Sequence, residues 1–323
     1  MMPKRKPIAR ETLLLEPGTL WTRVTEQTEH ALGCGALQPI PTECEFVEQG
    51  GVNFLVRVLP NLARKEEAKK KQDKETATSR KEFNPFLPYE EDLFVADISD
   101  THVCLLNKFN VIDHHLLIVT RTFEEQESLL TLRDFEAMWA CLAEFDGLAF
   151  YNGGKLAGAS QRHKHLQLVP LPLLNNGLKI PIEPAIASAL FQDSVGTIPS
   201  FPFLHAIAHV NPNSTQSPLE AASASLDCYH TLLQAVGLLG DTKGSRSKPE
   251  GAYNLLATRQ WMLLVPRSLE YFESIPVNSL GFAGTLAVRS EQQMKILKEQ
   301  GPMRVLRSVA VPIKLLGNQS LIK

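Results

Sequence analysis

The sequence predicts an α+β fold in which an antiparallel sheet is flanked by helices. Short β-branched segments occur in pairs joined by tight turns, whereas amphipathic segments with helical spacing occur singly. Paired strands favour an antiparallel sheet, because parallel neighbours need a long crossover between them. The chain has 323 residues, near the upper size of a single core, and we expect one compact body.

Two hairpins and one further strand are predicted. The segments 102–108 and 115–120 flank a turn at 110–114, and the segments 253–258 and 261–265 flank Arg259 and Gln260. A separate β-branched run covers 52–59. Strands of this length and composition fit a sheet with at least one buried face.

Capping residues predict three helices. Thr131 and Asp134 resemble a capping box ahead of an apolar run with helical spacing. Ser217 before Pro218 predicts a second helix start, and Ser290 predicts the start of a last helix that ends near 301–302.

Composition restricts the function classes. Lys and Arg number 33 and Asp and Glu number 35, so the net charge is -2 and gives no general attraction for nucleic acid or acidic lipid. The five cysteines are scattered, which favours neither a disulfide framework nor a zinc ribbon. The basic start of the chain lacks an apolar leader segment, and no apolar run is long enough to cross a bilayer. We expect a cytoplasmic protein that binds a small ligand, with no nucleic-acid or membrane partner.

Two breaks in composition divide the chain. In the segment 64–82, 13 of 19 residues are charged, which predicts a solvated loop or mobile helix. In the alternative interpretation, its first residues, Arg64 and Lys65, border a phosphate site. The turn-rich segment 211–218 separates a predicted domain at 1–210 from one at 211–323, the two packed as one body.

The segment 151–172 contains the strongest functional signal. A glycine-rich turn precedes a predicted strand at 163–169, whose alternation places His163, His165 and Gln167 on one face and Lys164, Leu166 and Leu168 on the other. Glycines at 153, 154 and 158 allow backbone N–H groups to approach an anion.

These residue types suit phosphorus chemistry. Neutral imidazole is a good nucleophile toward phosphorus, and its second nitrogen can donate to a carbonyl that fixes the tautomer. Ser160, Gln161 and Gln167 supply donors suited to the charge that develops on a transferring nucleotidyl group.

Other interpretations of the histidines remain open at this point. Each could be a structural histidine, or His163 and His165 could be a metal pair, as in cupin-like barrels or zinc hydrolases. No carboxylate or third imidazole accompanies them within 151–172, so we predict no protein metal site. The rings of His114 and His115 would diverge in a strand, and we expect this pair mainly at a surface turn.

The segment 158–167 (GASQRHKHLQ) resembles the active-site signature of the diadenosine tetraphosphate (Ap4A) phosphorylases, or ATP adenylyltransferases, of the histidine-triad superfamily. The segments 105–120, 253–268 and 278–290 are similar to a nucleotide-bordering hairpin, a later hairpin and a substrate loop of that family. These matches extend over most of the chain from about 52 to 290, and they imply a histidine-triad-like antiparallel sheet flanked by helices.

The resemblance also implies roles for individual residues. His165 would be the nucleophile that accepts adenylate, His163 would orient it, and Gln167 stands where histidine-triad hydrolases have a third histidine, a change that accompanies transfer instead of hydrolysis. Thr285 and Arg289 replace the methionine and lysine that we associate with the family, and Lys65 is the candidate for a phosphate-binding lysine. The implied substrate-binding residues are Lys65, Asn107, Lys108, Asn152, Gly158, Ala159, Ser160, Gln161, Asn278, Ser279, Gly284, Thr285 and Arg289.

The implied reaction is Ap4A plus phosphate to ATP plus ADP, reversible through a histidyl-AMP intermediate. The implied partners are nucleotides and phosphate, with no required cofactor and Mg²⁺ only as a companion of the nucleotide. The alternatives are a sugar-nucleotide phosphorylase or hexose-1-phosphate nucleotidyltransferase, a nucleotide-binding sensor without turnover, and a metal-dependent cupin-type enzyme.

Overall fold

A computed structural model describes residues 13–59, 84–173, 178–210, 217–239 and 248–313. The segment 64–82 and Lys65 lie outside the described residues. The helices are α1 (Leu20–Cys34), α2 (Leu132–Glu144), α3 (Glu183–Ile186), α4 (Pro218–Ala235), α5 (Ser279–Phe282), α6 (Glu291–Gln300) and α7 (Pro302–Val309).

Within the described residues, the strands lie in three sheets. They are β1 (Glu43–Gln49), β2 (Val52–Val58), β3 (Phe94–Asp97), β4 (His102–Leu106), β5 (Leu116–Thr120), β6 (Gly147–Gly153), β7 (His165–Pro170), β8 (Leu190–Gln192), β9 (Val195–Thr197), β10 (Ala206–His209), β11 (Tyr253–Ala257), β12 (Trp261–Pro266), β13 (Tyr271–Phe272), β14 (Ile275–Pro276) and β15 (Thr285–Val288).

The main sheet has ten strands in the order β3-β4-β5-β7-β6-β11-β12-β10-β9-β8, and all of its pairings are antiparallel. The predicted hairpins are therefore confirmed as β4-β5 and β11-β12. Strand β7 lies between β5 and β6, with Gln167 opposite Leu117 and His165 opposite Val119. The predicted antiparallel α+β fold is confirmed.

The two faces of the main sheet are covered differently. On one face, residues such as Cys104, Leu166 and Leu264 pack with α1, α2 and α4. On the other face, residues such as Phe150 and Val265 pack with the small sheet β1-β2-β15 and with α6 and α7. His165 and Gln167 share the second face, because they pair with Val119 and Leu117 of the apolar cluster on that side.

Helix starts follow the predicted caps, with one correction. Thr131 and Asp134 form a capping box, and Ser217 and Ser290 each accept a backbone N–H of the first turn. The sequence predicted that the helix after Ser290 is the last one, and this prediction is wrong. That helix ends at Gln300, and Pro302 then opens a further helix, because a proline fits the first helical position.

Strands from both predicted domains lie in the ten-stranded sheet. Strand β11 pairs with β6, and β12 pairs with β10. The sheet is thus shared by residues on both sides of the turn-rich segment 211–218. Among the helices in the described parts of the chain, none is long and apolar enough to cross a membrane.

Candidate active site

His165 lies at the start of β7 and its side chain is only 4% exposed. Its Nδ1 is 2.8 Å from the carbonyl oxygen of His163, which accepts a hydrogen bond from that nitrogen. The proton therefore resides on Nδ1, and the lone pair of the ring lies on Nε2. Within the described residues, Nε2 has no hydrogen-bond partner.

Burial lowers the pKa of His165 from its ordinary value to about 4. The ring of Phe86 contributes to this cover, with its centroid 5.3 Å from that of His165. The hydrogen bond to the His163 carbonyl opposes the lowering, and the charge of His163 adds to it. The imidazole is consequently neutral near pH 7, as a nucleophile must be.

His163 has both ring nitrogens occupied by the protein. Its Nε2 is 2.8 Å from the carbonyl oxygen of Thr120, and its Nδ1 is 3.0 Å from the amide nitrogen of Asn84. Burial lowers the pKa of His163. The structure departs slightly from the predicted strand at 163–169, because His163 precedes β7 and pairs only through a single bridge with Glu125. This bonding fits an orienting role and leaves His163 no nitrogen for a metal ion.

Gln167 belongs to a chain of side-chain hydrogen bonds. Its Oε1 is 3.0 Å from Nε2 of His115, and Nδ1 of His115 is 3.1 Å from the amide nitrogen of Asn107. Because Asn107 donates to Nδ1, the proton of His115 lies on Nε2 and is donated to Gln167. The amide nitrogen of Gln167 then remains as a donor on the face that holds His165.

The expectation for His115 was wrong. It is only 6% exposed, whereas His114 is half-buried and has a positive φ of 54°. The left-handed conformation of His114 turns the chain just before β5, so that His115 enters the sheet face beside Gln167. Sequence alternation alone placed both rings at a surface turn.

Gln126 is a site residue that the sequence analysis missed. Its Oε1 accepts the backbone N–H of His165 at 2.8 Å, and its Nε2 donates to the carbonyl oxygens of Asn152 and His165, both at 3.1 Å. A buried glutamine so bonded holds the end of β6 against the start of β7. In the local sequence, only the polar side chain of Gln126 indicates a possible site residue. Its hydrogen-bond partners are distant in sequence.

The glycine-rich turn is held by tight packing. A short 3₁₀ turn covers Lys155–Ala157, and Gly158 follows with a φ of 88°. A Cβ at Gly158 would lie 2.9 Å from the Cβ of Asn278, so glycine permits both the conformation and the contact. The structure thereby brings two predicted site segments, 158–161 and 278–279, together.

A buried polar network lies beneath this turn. Asn254 Nδ2 is 2.9 Å from Asn152 Oδ1 and 2.9 Å from Ser279 Oγ, and Ser279 Oγ is 2.8 Å from Asn152 Oδ1. Arg267 donates to Asn254 Oδ1, and burial lowers the pKa of Arg267 to about 9. Asn152 and Ser279, which were predicted to contact substrate, thus position the turn, together with Asn254 and Arg267, which were not predicted.

The remaining predicted site residues lie outside the strand that carries His165 and Gln167. Lys108 forms an ion pair with Glu90, with 2.6 Å between Nζ and Oε2. Thr285 is buried beside Gly284 on β15, and within the described residues its Oγ1 has no hydrogen-bond partner. Arg289 follows β15, and its charge partly offsets the rise in the pKa of Tyr271 that the hydrogen bond with Glu270 causes. Ser160 is exposed and Gln161 is half-buried in the turn.

A cavity of about 520 Å³ adjoins the carboxyl end of β7. Its lining includes Arg57, Asn110 and Leu171. Nη1 of Arg57 donates to the carbonyl of Val111 at 3.1 Å, whereas Nε of Arg57 and Oδ1 of Asn110 are buried without a partner among the described residues. Its volume is within the range of small-molecule sites, and its lining combines apolar side chains with polar groups.

The fold and the site define a class: an antiparallel α+β protein with a neutral, buried histidine suited to attack on phosphorus. Residues 10–188 match the Ap4A phosphorylase N-terminal domain family, and residues 199–312 match the ATP adenylyltransferase C-terminal domain family. The chain belongs to the Ap4A phosphorylase family, and the predicted family is confirmed.

Individual relatives agree with this assignment. The chain is 29% identical over 279 residues to diadenosine 5′,5‴-P1,P4-tetraphosphate phosphorylase 2 of Saccharomyces cerevisiae, covering 78% of this chain and 81% of the relative. It is 26% identical to Protein APA1 of the same yeast, covering 88% and 91%. The crystal structure of yeast Ap4A phosphorylase Apa2 in complex with Ap4A superposes with a TM-score of 0.74 at 22% identity, covering 93% of this chain and 99% of that one. A further Apa2 crystal structure contains AMP.

Proposed function

We propose that this chain is an Ap4A phosphorylase that also works in reverse as an ATP adenylyltransferase. The observation that supports this most directly is the neutral His165, whose Nε2 lone pair has no partner among the described residues. Family membership and the yeast relatives support the dinucleotide substrate. The enzyme class is nucleotidyltransferase.

The reaction proceeds in two displacements. In the first, Nε2 of His165 attacks an α-phosphorus of Ap4A, a P–N bond forms, and the P–O bond to the departing ATP breaks. In the second, an oxygen of inorganic phosphate attacks the same phosphorus, the P–N bond breaks, and ADP forms. The Nδ1 hydrogen bond to the His163 carbonyl stabilises the positive charge that the ring gains in the first step.

Gln167 would donate from its amide nitrogen to an oxygen of the transferring phosphoryl group. His115 fixes this orientation, because its Nε2 holds the amide oxygen at 3.0 Å. Ser160 and the backbone N–H of Gln161 are further candidates for binding the polyphosphate. The backbone N–H groups of Gly158 and Ala159 donate to the carbonyl oxygens of Lys155 and Gly154, so these two residues shape the turn beside the phosphates.

Substrate contacts are proposed on either side of this centre. Asn107 and Lys108 are proposed nucleotide contacts, and they lie close in sequence to Asn110, which lines the cavity at the end of β7. Lys65, Asn278, Gly284, Thr285 and Arg289 remain proposed contacts of the other half of the substrate. The proposal includes no protein-bound metal and no required cofactor, and a Mg²⁺ ion carried by the nucleotide phosphates is compatible with it.

Product analysis tests the proposal. Purified protein is incubated with Ap4A, with and without inorganic phosphate, and the nucleotides are separated by chromatography. We expect ATP and ADP in equal amounts only when phosphate is present. The His165→Asn variant should lose at least about 10⁴-fold in turnover, because it removes the nucleophile, and its thermal unfolding should stay close to that of the wild type.

Sugar-nucleotide substrates serve as the comparison arm. Turnover of ADP-glucose or UDP-glucose with phosphate, in the absence of turnover of Ap4A, would replace the dinucleotide by a sugar nucleotide. Turnover by His165→Asn at the wild-type rate would reject the covalent mechanism itself.

A further inference from the structure

Three side chains of metal-binding type meet on a surface that does not include His163, His165 or Gln167. They are His30, Cys34 and Asp92, all exposed, and their ligand atoms lie within 4.8 Å of one another. His30 Nε2 is 2.8 Å from Asp92 Oδ1. No local sequence pattern marks this group, because Asp92 is distant in sequence from the other two residues.

Contacts other than those among the three side chains keep these residues near one another. His30 and Cys34 are four residues apart in the last turns of α1, so they lie on one face of the helix. Asp92 belongs to the 3₁₀ turn Glu91–Leu93, which packs against that face. Gln27, on the same face of α1, donates from Nε2 to the carbonyl oxygen of Asp92 at 2.7 Å. The turn is therefore fixed by a contact outside the three candidate ligands.

The ligand set is selective. A thiolate, an imidazole and a carboxylate suit Zn²⁺ or Co²⁺, whereas Mg²⁺ and Ca²⁺ prefer oxygen ligands. Tetrahedral Zn²⁺ with bonds of about 2.0–2.3 Å separates its ligand atoms by about 3.3–3.8 Å. The cluster reaches this geometry by side-chain movements of about an ångström, which exposed residues can make. The carboxyl end of α1 also favours a cation.

We propose that His30 Nε2, Cys34 Sγ and a carboxylate oxygen of Asp92 form a binding site for a zinc-class divalent ion. The ion fastens α1 to the turn Glu91–Leu93. On binding, the thiol of Cys34 releases its proton to solvent, the sulfur bonds to the metal, and the His30 to Asp92 hydrogen bond is replaced by two metal bonds. Water completes the coordination.

The site lies on two elements that also hold the loop before β5. Glu90, just before the turn, pairs with Lys108, and Thr28 of α1 is 3.1 Å from Nδ1 of His114 through its Oγ1. A bound ion therefore stabilises the support of this loop. The site is independent of the proposed reaction and exists whether or not the chain acts on Ap4A.

Cobalt titration tests the proposal. The full-length protein is freed of metal with a chelator, kept reduced with a phosphine, and titrated with Co²⁺ while thiolate-to-cobalt charge-transfer and d–d absorption are recorded. We expect one equivalent to bind with a tetrahedral spectrum, to be displaced by Zn²⁺, and to raise the Tm by about 2–4 °C at tenfold excess over Kd.

Three variants make the test specific. Cys34→Ser should abolish the charge-transfer band, and His30→Gln should weaken binding at least tenfold. Cys44→Ser, which removes another exposed free cysteine, should bind as the wild type does. The proposal is overturned by the absence of the band in the wild type, by its persistence in Cys34→Ser, or by equal affinity of His30→Gln and the wild type.

Discussion

At the scale of single residues, the neutral state of His165 is the property on which the proposed chemistry depends. Burial lowers its pKa to about 4, below the ordinary value of 6.5. Above the folded-state pKa the ring is neutral and nucleophilic, and below it the ring is protonated and inactive. The proposed nucleophile therefore stays neutral through the mildly acidic range, in which an exposed histidine would be charged.

The pH dependence of kcat/KM for Ap4A tests this property. Ap4A is the substrate of the first displacement, so its kcat/KM reports that step. Because Ap4A has no terminal secondary phosphate, the substrate itself adds no ionisation to this pH profile. We expect its acidic limb near pH 4–5 and not near pH 6.5. Phe86→Ala should expose the ring and move the limb toward 6.5, because desolvation is the largest cause of the shift. A wild-type limb at 6.5 that Phe86→Ala leaves in place would contradict the assignment.

His115 makes a second residue-scale prediction. His115→Phe removes the donor to Gln167 Oε1 and frees the amide to rotate, so kcat/KM for Ap4A should fall about tenfold, the effect of one hydrogen bond. His115→Gln can donate from its own amide and should retain activity within about threefold.

A double-mutant cycle separates positioning from structural damage. In a Gln167→Ala background, His115→Phe should change kcat/KM by less than about twofold, because the amide that it orients is gone. The same tenfold loss in both backgrounds would mean that His115 acts on substrate or on folding. Thermal unfolding of each variant identifies the second case.

Sequence reasoning was successful for residues whose role is visible in a local pattern. The alternation around His165 correctly placed Gln167 beside it on one face of β7. His115 was misjudged because its importance depends on β5 pairing with β7, and no local feature specifies that neighbour. Gln126 was missed for the same reason.

At the scale of elements, the local signals of turns and caps predicted hairpins and helix starts well. The capping box at Thr131 and Asp134 is an example, because both partners lie within four residues. No such local signal marks the parallel pairing of β15 with β2. The paired residues Thr285 and Leu55 are separated by most of the sequence. Long-range registers follow from packing, which a single sequence does not display.

The buried Lys164 shows how an element can depend on a polar contact. Alternation placed Lys164 on the face opposite His165, where it is fully buried. Its Nζ is 2.7 Å from Asp134 Oδ2 and 3.0 Å from the carbonyl oxygen of Leu129. Burial raises the pKa of Asp134, but the hydrogen bond with His102 and the ion pair with Lys164 outweigh it and lower the pKa to about 2. The start of α2 is thereby joined to the residue just before β7, the strand that carries His165.

At the scale of the whole molecule, the two family segments do not build separate sheets. Strand β6, which precedes the proposed catalytic residues, pairs with β11 from the other segment. The Asn254 side chain then bonds both Asn152 and Ser279, so the glycine-rich turn depends on residues from both parts of the chain. The site is consequently a product of the complete sheet.

The shared sheet predicts that the full chain unfolds in one step. Separating the segments would expose the β6 edge together with the buried residues of β11, so a half-folded state is unfavourable. Differential scanning calorimetry should show one transition with calorimetric and van't Hoff enthalpies in a ratio near one. Leu256→Ala, in the middle of β11, should lower the Tm of this single transition by removing a buried side chain worth about 2–5 kcal/mol. Two resolved transitions, or a ratio well above one, would show that the segments unfold independently.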